Sequence, residues 1–393
     1  MVNKRSVFTI LTILIIFSAA TVAIFLAKGY TFSTQEKRLV GTGIISVTSL
    51  PDAASVYVDG HLTTATNSTV TLSPHDYTVK VIKEGFIPWE RKVTVKEGLV
   101  TDLKITLFPA IPTIYPLTFT GVARPILSPD NSQLAYIVPI ATPSAGLSGS
   151  DLAARNKKAG VWVWSMGDNR PIAFTRGAQP HQIATSTAVD YSKAELHWSS
   201  DSKQVLATIG TNNYLLNADS LNSDPKDITP TLISTLKGWE NDQKIADSAR
   251  VNAIKDLKIR QIASDSASLK WSPDETKFMF SAAAPKSLTA LKAPSTDETN
   301  LKFKVVDLET NSQYDLPEAK LHFWLPDSRH VVLVESNQIS ITDFDGTNKA
   351  VIYAGNFLDN LVFAWPDYSR LAIVSSVPTP TASEPNLFGI NLK

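Results

Sequence analysis

The chain has 393 residues, 37 basic and 37 acidic side chains and therefore a formal net charge of zero, and it contains no cysteine. The lack of cysteine excludes disulfides, thiolate metal sites and cysteine nucleophiles, and the balanced charge disfavours a nucleic-acid-binding domain. Its six histidines are scattered, and no two have the i, i+4 spacing of a helical metal site. We therefore predict no metal ligands and no cofactor.

Residues 1–40 contain a long apolar segment. No charged residue occurs from Ser6 to Ala27, a run long enough for a helix to cross a hydrocarbon layer of about 30 Å. Lys4 and Arg5 precede the segment and favour a cytoplasmic N-terminus. We predict a single-pass transmembrane signal anchor and linker over 1–40 that keeps the bulk of the chain outside the cytoplasm. A cleaved signal peptide is the alternative, and it gives the same location.

Residues 41–109 alternate apolar and polar side chains in several short segments, as half-buried strands do. Turn signals separate these segments at Asp59-Gly60, Gly85 and Gly98. The pattern predicts a small β-sandwich. Its aromatic side chains are expected to pack in the core, with a sugar-stacking face as the alternative: Tyr57, Tyr77, Phe86 and Trp89.

Three elements of this segment resemble the PEGA domain family. They are Pro51-Asp52-Ala53-Ala54, then Pro74-His75-Asp76-Tyr77-Thr78-Val79, and finally Glu84-Gly85-Phe86. Ala53 stands where the family usually has glycine, and His75-Asp76 replaces a glycine turn. The resemblance implies an extracytoplasmic β module, often next to a membrane anchor, and it implies no chemistry.

Five similar phrases follow between residues 113 and 393. They read ILSPDNSQLAYI (126–137), LHWSSDSKQVLAT (196–208), LKWSPDETKFMFS (269–281), HFWLPDSRHVVLV (322–334) and FAWPDYSRLAIVS (363–375). A tryptophan precedes the turn in four of them, and Leu127 takes its place in the first: Trp198, Trp271, Trp324 and Trp365. All five keep an aspartate in the turn: Asp130, Asp201, Asp274, Asp327 and Asp367. Proline and aspartate suit tight turns and tryptophan can fill the space between sheets, so the repeat encodes packing rather than catalysis.

We interpret each phrase as the first two strands of a four-stranded propeller blade. Third and fourth strands are predicted within 161–175, 303–316 and 339–354. Five blades are expected, with six or seven as alternatives. The segment 114–120 is expected to supply the last blade's missing strand and so join the two ends of the unit.

The phrases resemble the Ser-Pro-Asp-Gly repeat of TolB-like β-propellers. The closing glycine of that repeat is replaced in every copy, by Asn131, Ser202, Glu275, Ser328 and Tyr368, which indicates degenerate turns. The resemblance implies a propeller over 113–393. A PEGA domain and such a propeller behind one anchor resemble membrane-anchored bacterial envelope proteins, a likeness that implies an architecture but no activity.

Four insertions interrupt the predicted blades, at 139–160, 218–268, 282–300 and 376–386. Part of the second, 230–263, is predicted to be helical because Ile245, Ala249, Ala253 and Leu257 recur every four residues. In an up-and-down sheet all four connections leave by the end opposite the aspartate turns. That face is therefore predicted to carry the binding loops.

No catalytic motif is found. Gly146-Leu147-Ser148-Gly149-Ser150 lacks the closing glycine of a nucleophile elbow, and Glu195, His197 and Asp201 form no defensible catalytic set. Asp343, Asp345 and Asn348 lie in a loop too short for an EF-hand, so a plain hairpin is favoured. We predict no enzyme and name no catalytic, cofactor or metal site residues.

The favoured function is that of a membrane-anchored extracytoplasmic adaptor whose propeller face binds an envelope protein, peptide or glycan. Two alternatives stay open. One is a polysaccharide-acting enzyme with carboxylates at the propeller channel, and the other is a purely structural envelope protein.

Overall fold

The computed structural model describes residues 4–27, 30–33, 38–141, 149–166, 179–266, 268–281, 302–358, 360–376 and 384–393. The chain divides into two compact units, Met1–Ile111 and Pro112–Leu392. Both are built mainly from β-strands that form several separate sheets, with few helices.

The first unit starts with helix α1 (Lys4–Ala27) and an antiparallel pair of short strands, β1 (Tyr30–Ser33) and β2 (Arg38–Gly41). In the part of the chain that the structure describes, no helix is both long and apolar enough to cross a membrane. The structure therefore does not support the transmembrane anchor predicted over Ser6–Ala27.

Two sheets form the rest of the first unit. Their strands are β3 (Gly43–Leu50), β4 (Ser55–Val58), β5 (His61–Ala65), β6 (Ser68–Leu72), β7 (Asp76–Ile82), β8 (Trp89–Thr94) and β9 (Val100–Thr106). One sheet has the order β6-β3-β9, with β3 parallel to β9, and the other has the order β5-β4-β7-β8. Alternate residues of both sheets share one core that includes Val47, Val56 and Val81. Trp89 is buried in this core and Tyr77 and Phe86 pack against it, so these three aromatics are packing residues.

The second unit contains five four-stranded antiparallel sheets, here numbered 1 to 5 in chain order. Sheet 1 comprises β11 (Ala123–Leu127), β12 (Gln133–Val138), β13 (Gly160–Ser165) and β14 (His181–Thr185). Sheet 2 comprises β15 (Glu195–Trp198), β16 (Gln204–Ile209), β17 (Asn212–Asn217) and β18 (Lys226–Asp227). Sheet 3 comprises β19 (Ser268–Trp271), β20 (Lys277–Ser281), β21 (Lys304–Asp307) and β22 (Ser312–Asp315).

Sheet 4 comprises β23 (Leu321–Trp324), β24 (His330–Glu335), β25 (Gln338–Asp343) and β26 (Ala350–Ala354). Sheet 5 comprises β27 (Val362–Ala364), β28 (Arg370–Ser375) and β29 (Asn386–Asn391), and its fourth strand is β10 (Ile114–Pro116) from the start of the unit. Ile114 pairs with Ile390. The prediction that 114–120 completes the last sheet is confirmed, and the two ends of the unit are joined by backbone hydrogen bonds.

Helices occur between strands in two places. A short helix, α2 (Gly149–Asn156), lies between β12 and β13, in a segment that composition had assigned to a loop. Between sheets 2 and 3, a 3-10 turn (Thr229–Thr231) leads into α3 (Leu232–Ala253) and α4 (Leu257–Asp265). The helical prediction for 230–263 is therefore confirmed, with a break at Ile254–Asp256.

Two strand assignments differ from the sequence prediction. The fourth strand of sheet 1 is His181–Thr185, which lies after the strand pair predicted within 161–175. The end of that predicted pair lies outside the described residues, as do the insertion 282–300 and most of 376–386. In the fifth phrase, the amide of Trp365 donates to the carbonyl of Arg370, as Ser272 does to Lys277. Trp365 therefore occupies the turn serine position, and Ala364 stands where the other sheets have their tryptophan.

Candidate functional site

The five aspartate turns are held by their own side chains. In three of them the turn serine hydroxyl donates to the aspartate Oδ1, over 2.5 Å at Ser128–Asp130 and 2.6 Å at Ser199–Asp201 and Ser272–Asp274. The same carboxylates accept backbone amides two residues further on. These bonds lower the pKa of Asp130, Asp201 and Asp274 although burial acts in the opposite direction. The aspartates are therefore ionised turn caps.

The residues that replace the motif glycine keep its backbone conformation. Their φ angles are all positive, between 45° and 59°: Asn131, Ser202, Glu275, Ser328 and Tyr368. This is the left-handed region that glycine enters without strain. Two of the replacements also connect sheets, because the hydroxyl of Ser202 accepts the amide of Asp130 (3.3 Å) and that of Ser328 accepts the amide of Asp274 (3.0 Å). The turns are thus regular in geometry, contrary to the expected degeneracy.

The phrase tryptophans join neighbouring sheets. The indole nitrogen of Trp198 in sheet 2 donates to the carbonyl of Ile126 in sheet 1 (3.2 Å), and that of Trp324 in sheet 4 donates to Lys270 in sheet 3 (2.9 Å). Each acceptor carbonyl belongs to the residue two positions before the turn serine of its own sheet. Trp198 packs in a core shared by sheets 1 and 2, and Trp324 in one shared by sheets 3 and 4. These two contacts are equivalent in the repeat.

Trp271 of sheet 3 breaks this pattern. Its ring nitrogen is buried and has no hydrogen-bond partner among the described residues. By equivalence its acceptor would be the carbonyl of His197 in sheet 2. Instead, Trp271 lies beside Phe278 and packs in a cluster with the end of α3 and with α4, which buries Ile259 and Ala263. The helices therefore cover the face of sheet 3 whose equivalent in sheets 2 and 4 packs against the preceding sheet.

Helix α3 extends to the end of the sheets that carries the aspartate turns. The helix follows Thr229, whose hydroxyl accepts the amide of Asn213 at the opposite end of β17. Further along, Asp242 accepts the hydroxyl of Ser200 (3.3 Å), and Arg250 Nε donates to Glu275 Oε1 (2.8 Å). Ser200 and Glu275 belong to aspartate turns. The prediction that this insertion projects only from the other end is therefore wrong, because a 22-residue helix rises about 33 Å.

The recurring residues that indicated the helix do not form its inward face. Ile245 is 61% and Leu257 is 73% exposed, and Ala249 and Ala253 are exposed as well. None of the 22 residues of α3 is fully buried. The half-buried residues recur at helical spacing on another face: Leu232, Leu236, Trp239, Asp247, Arg250 and Val251.

A cavity of about 790 Å³ lies at this end of the second unit. The described residues that line it come from the first strands and turns of sheets 1, 3, 4 and 5 and from α3, and none comes from sheet 2. The apolar part of the wall combines aromatic side chains, turn prolines and aliphatic residues: Trp271, Trp324, Phe323, Phe363, Pro129, Pro273, Pro326, Pro366, Leu127, Leu269, Leu321, Val362 and Ala364. The polar part is mostly from α3 and the turns: Asp130, Asn131, Gln243, Asp247, Arg250, Lys270, Ser272, Glu275 and Asn360.

The charged groups of the wall already have partners within the second unit. Arg250 bridges Glu275 (2.8 Å) and Asp247 (3.2 Å). Lys270 Nζ donates to the carbonyl of His322 (2.9 Å) and lies 5.2 Å from the centre of the Phe303 ring. Asp130 is the turn cap described above. A general acid of a glycosidase needs a carboxyl group with a raised pKa, and the Asp130 pKa is lowered.

A buried ionic cluster lies in sheet 4. His330 Nδ1 is 2.6 Å from Asp327 Oδ2 and its Nε2 is 3.3 Å from Asp343 Oδ1, and all three side chains are almost completely buried. Burial alone would lower the pKa of His330, but the two carboxylates outweigh it and raise the pKa to about 9. Burial raises and His330 lowers the pKa of Asp327, and the net direction is downward. His330 thus replaces the turn serine as the partner of its aspartate and is cationic at neutral pH.

The other residues considered from sequence do not assemble into a site. Burial lowers the pKa of His197 although Glu195 acts in the opposite direction, and Asp201 is a turn cap. Asp343 pairs with His330 and accepts Asn348 Nδ2 (2.9 Å), while Asp345 accepts the amide of Thr347, so this loop is the expected hairpin. Residues 146–148 lie outside the described residues. Across the described ranges, no group of three His, Asp or Glu is placed to hold a metal.

Sequence reasoning did not identify the cavity. One signal was available: the longest insertion lies between two phrases that both carry a tryptophan, and it separates them by 73 positions from Asp201 to Asp274. An insertion that long can separate the sheets it joins. The sequence of the insertion, however, does not indicate at which end of the sheets the insertion lies.

Residues 42–111 match the PEGA domain. No curated protein matches the chain. Among solved structures, similar chains include a putative TolB from Agrobacterium tumefaciens (14% identity, 71% of this chain and 89% of that chain, TM-score 0.22) and TolB from Acinetobacter baumannii (12%, 81% and 60%, TM-score 0.22). A chain of a mitotic checkpoint complex is also similar (10%, 73% and 97%, TM-score 0.32). At these scores the structural likenesses carry no argument of their own.

Proposed function

We propose that the protein is a non-enzymatic binding protein of the cell envelope, in which the second unit is a five-bladed β-propeller that holds a polypeptide partner in the cavity beside α3. The ring is supported by sheet 5, which uses strands from both ends of the unit, and by the core that sheets 5 and 1 share. The PEGA domain supports an envelope location, and residues 41–393 are proposed to lie outside the cytoplasm.

The cavity is the observation on which the proposed function depends. Binding sites for flexible ligands combine apolar walls with a few polar groups that fix orientation. Here aromatic rings and turn prolines face amide and charged side chains from α3. A polypeptide offers both apolar side chains and regularly spaced carbonyl and amide groups, so it matches this mixture.

The paired carboxylates favour binding over polysaccharide hydrolysis. Glu275 and Asp247 both hold Arg250, and Asp130 caps its turn. A hydrolase would need one protonated and one free carboxyl group on opposite sides of the substrate. The three carboxylates of the wall are instead used to position α3 and a turn.

Site-specific photocross-linking in cells tests the proposal. A benzophenone amino acid is placed at Asn131 or Asn360, which line the cavity, and at Leu221, which is 54% exposed and lies outside the lining. The two cavity positions are expected to give a discrete polypeptide adduct that Leu221 does not give.

Equal adducts from all three positions, or none from any, would contradict the proposal, and the second result would favour a structural role. Protease accessibility of intact and opened cells tests the location in the same strains.

A further inference from the structure

We infer that Trp271 fixes what the cavity accepts: its indole N–H is the donor for a main-chain carbonyl of the bound polypeptide. This inference rests on the proposed function and names the contact that the partner makes. Three observations support it.

The first observation is the repeat itself. Trp198 and Trp324 occupy the same position as Trp271 in their sheets, and both donate to a strand carbonyl, over 3.2 Å and 2.9 Å. The position is therefore built to hold an indole N–H against an extended backbone. Trp271 is the one member of the three without that carbonyl among the described residues.

The second observation is that the ring nitrogen of Trp271 is buried without a hydrogen-bond partner among the described residues. A buried donor without a partner costs free energy comparable to that of a lost hydrogen bond. Any ligand that supplies a carbonyl at this place removes that cost, whereas a ligand without an acceptor does not. The site therefore favours ligands that carry a carbonyl. In the equivalent contacts of Trp198 and Trp324, that carbonyl belongs to an extended backbone.

The third observation is how the place is covered. Trp271 lines the cavity, and its ring packs against the end of α3 and against α4. Helix α4 is anchored by two buried side chains, but α3 has none, and the helices are separated by extended backbone at Ile254 and Asp256. The inference requires the end of α3 to move aside so that a carbonyl can reach the nitrogen.

The test uses the full-length protein in detergent and a phage-displayed library of random twelve-residue peptides. Peptides that bind are synthesised and measured against the parent protein, Trp271→Phe and Trp198→Phe. Phenylalanine removes three heavy atoms of the ring system, the N–H among them, and this loss of packing is common to both variants. Loss of one hydrogen bond corresponds to about a tenfold weaker Kd, which we expect for Trp271→Phe alone.

The two variants should show opposite patterns. Trp198→Phe leaves the carbonyl of Ile126 without its donor, so its denaturation midpoint should fall while peptide binding stays unchanged. Trp271→Phe loses the same packing but removes a donor that has no partner among the described residues, so its midpoint should fall less than that of Trp198→Phe while its peptide binding weakens. A loss of binding that accompanies a loss of folding in both variants would contradict the inference.

A spectroscopic measurement on the parent protein avoids any doubt about folding. Eight tryptophans give eight indole N–H resonances, and the Trp271 signal is the one missing from Trp271→Phe. Addition of a selected peptide should move it downfield, as hydrogen bonding does, and leave the Trp198 signal in place.

Peptides that bind both variants equally, or that leave the Trp271 resonance unmoved, overturn the inference and leave the proposed function standing. A library that yields no peptide also overturns it, and the cross-linking at Asn131 and Asn360 then decides separately whether the proposed function survives.

Discussion

The buried cluster of His330, Asp327 and Asp343 predicts a specific loss of stability at alkaline pH. The unfolded-state pKa of histidine is about 6.5, and in the folded protein the two carboxylates raise that of His330 to about 9. Since each pKa unit corresponds to about 1.4 kcal/mol, protonated His330 contributes on the order of 3 kcal/mol. This contribution is complete below pH 6.5 and is lost as the pH rises through about 9. The lowered pKa of Asp327 affects stability only at acidic pH, where its contribution to the free energy of unfolding is lost as the pH falls through the folded-state pKa.

Replacing the histidine should have a larger effect at neutral pH. His330→Leu leaves two carboxylates, with side chains 2% and 8% exposed, without their cation, and breaking a buried pair in this way costs about 3–5 kcal/mol. We would measure urea unfolding of the parent and the variant between pH 6 and 10 by circular dichroism. The parent should lose stability above pH 7, and the variant should be less stable throughout but lack that alkaline decline.

The control is His197→Gln, since burial lowers the pKa of His197 and its replacement should leave the alkaline decline intact. The reasoning is refuted if His330→Leu costs less than about 1 kcal/mol at pH 7, or if the variant declines between pH 7 and 9.5 as steeply as the parent does.

Three further predictions concern the turns, the ring closure and α3. Asn131→Ala should cost about 1 kcal/mol, because φ is 58° there and alanine is strained in that region, whereas Asn131→Gly at the same site should be neutral or stabilising; thermal denaturation distinguishes them, and equal midpoints would contradict the assignment. Deleting 113–117 removes the strand paired with β29 and should cost about 3 kcal/mol, since each backbone hydrogen bond contributes on the order of 1 kcal/mol; an unchanged unfolding midpoint would show that the stability of the second unit does not depend on this pairing. Arg250→Ala removes the ion pair that joins α3 to Glu275, together with the pair to Asp247 within the helix, and should speed hydrogen exchange several-fold in 232–253 but not in α4, while Lys244→Ala, which removes only a pair within the helix, should not.

Much of the second unit could be predicted because every copy of the phrase forms the same local structure. A strand that ends in Trp198, Trp271 or Trp324 and a turn capped by aspartate recur wherever the phrase occurs, and the closing strand at Ile114–Pro116 follows from counting strands. These features depend on residues that are near in sequence. The number of sheets therefore needed no knowledge of the packing between them.

The errors arose where alignment or helix geometry was ambiguous. In the fifth phrase Trp365 was aligned with the tryptophans of the other phrases, but its hydrogen bond to Arg370 shows that it aligns with the turn serine. On α3, a spacing of four residues advances by about 40° per step beyond a full turn, so Ile245, Ala249 and Ala253 drift around the helix, and Leu257 lies beyond it, in α4. Ser202 and Ser328 were interpreted as lost glycines, although their hydroxyls bond to the preceding sheet; only the three-dimensional neighbour reveals that role.

The insertion between sheets 2 and 3 explains why a cavity forms at this place in the repeat. Elsewhere neighbouring sheets interdigitate apolar side chains, as Val205 and Ala207 do with residues of sheet 1, and such a core leaves no room for a ligand. The part of α3 that borders the cavity presents Gln243, Asp247 and Arg250, which gain little from burial. Its ion pair to sheet 3, between Arg250 and Glu275, is partly exposed and worth about 0–1 kcal/mol. Displacing it would therefore weaken binding by only about fivefold, so a carbonyl that reaches Trp271 can compensate for the opening of its own site.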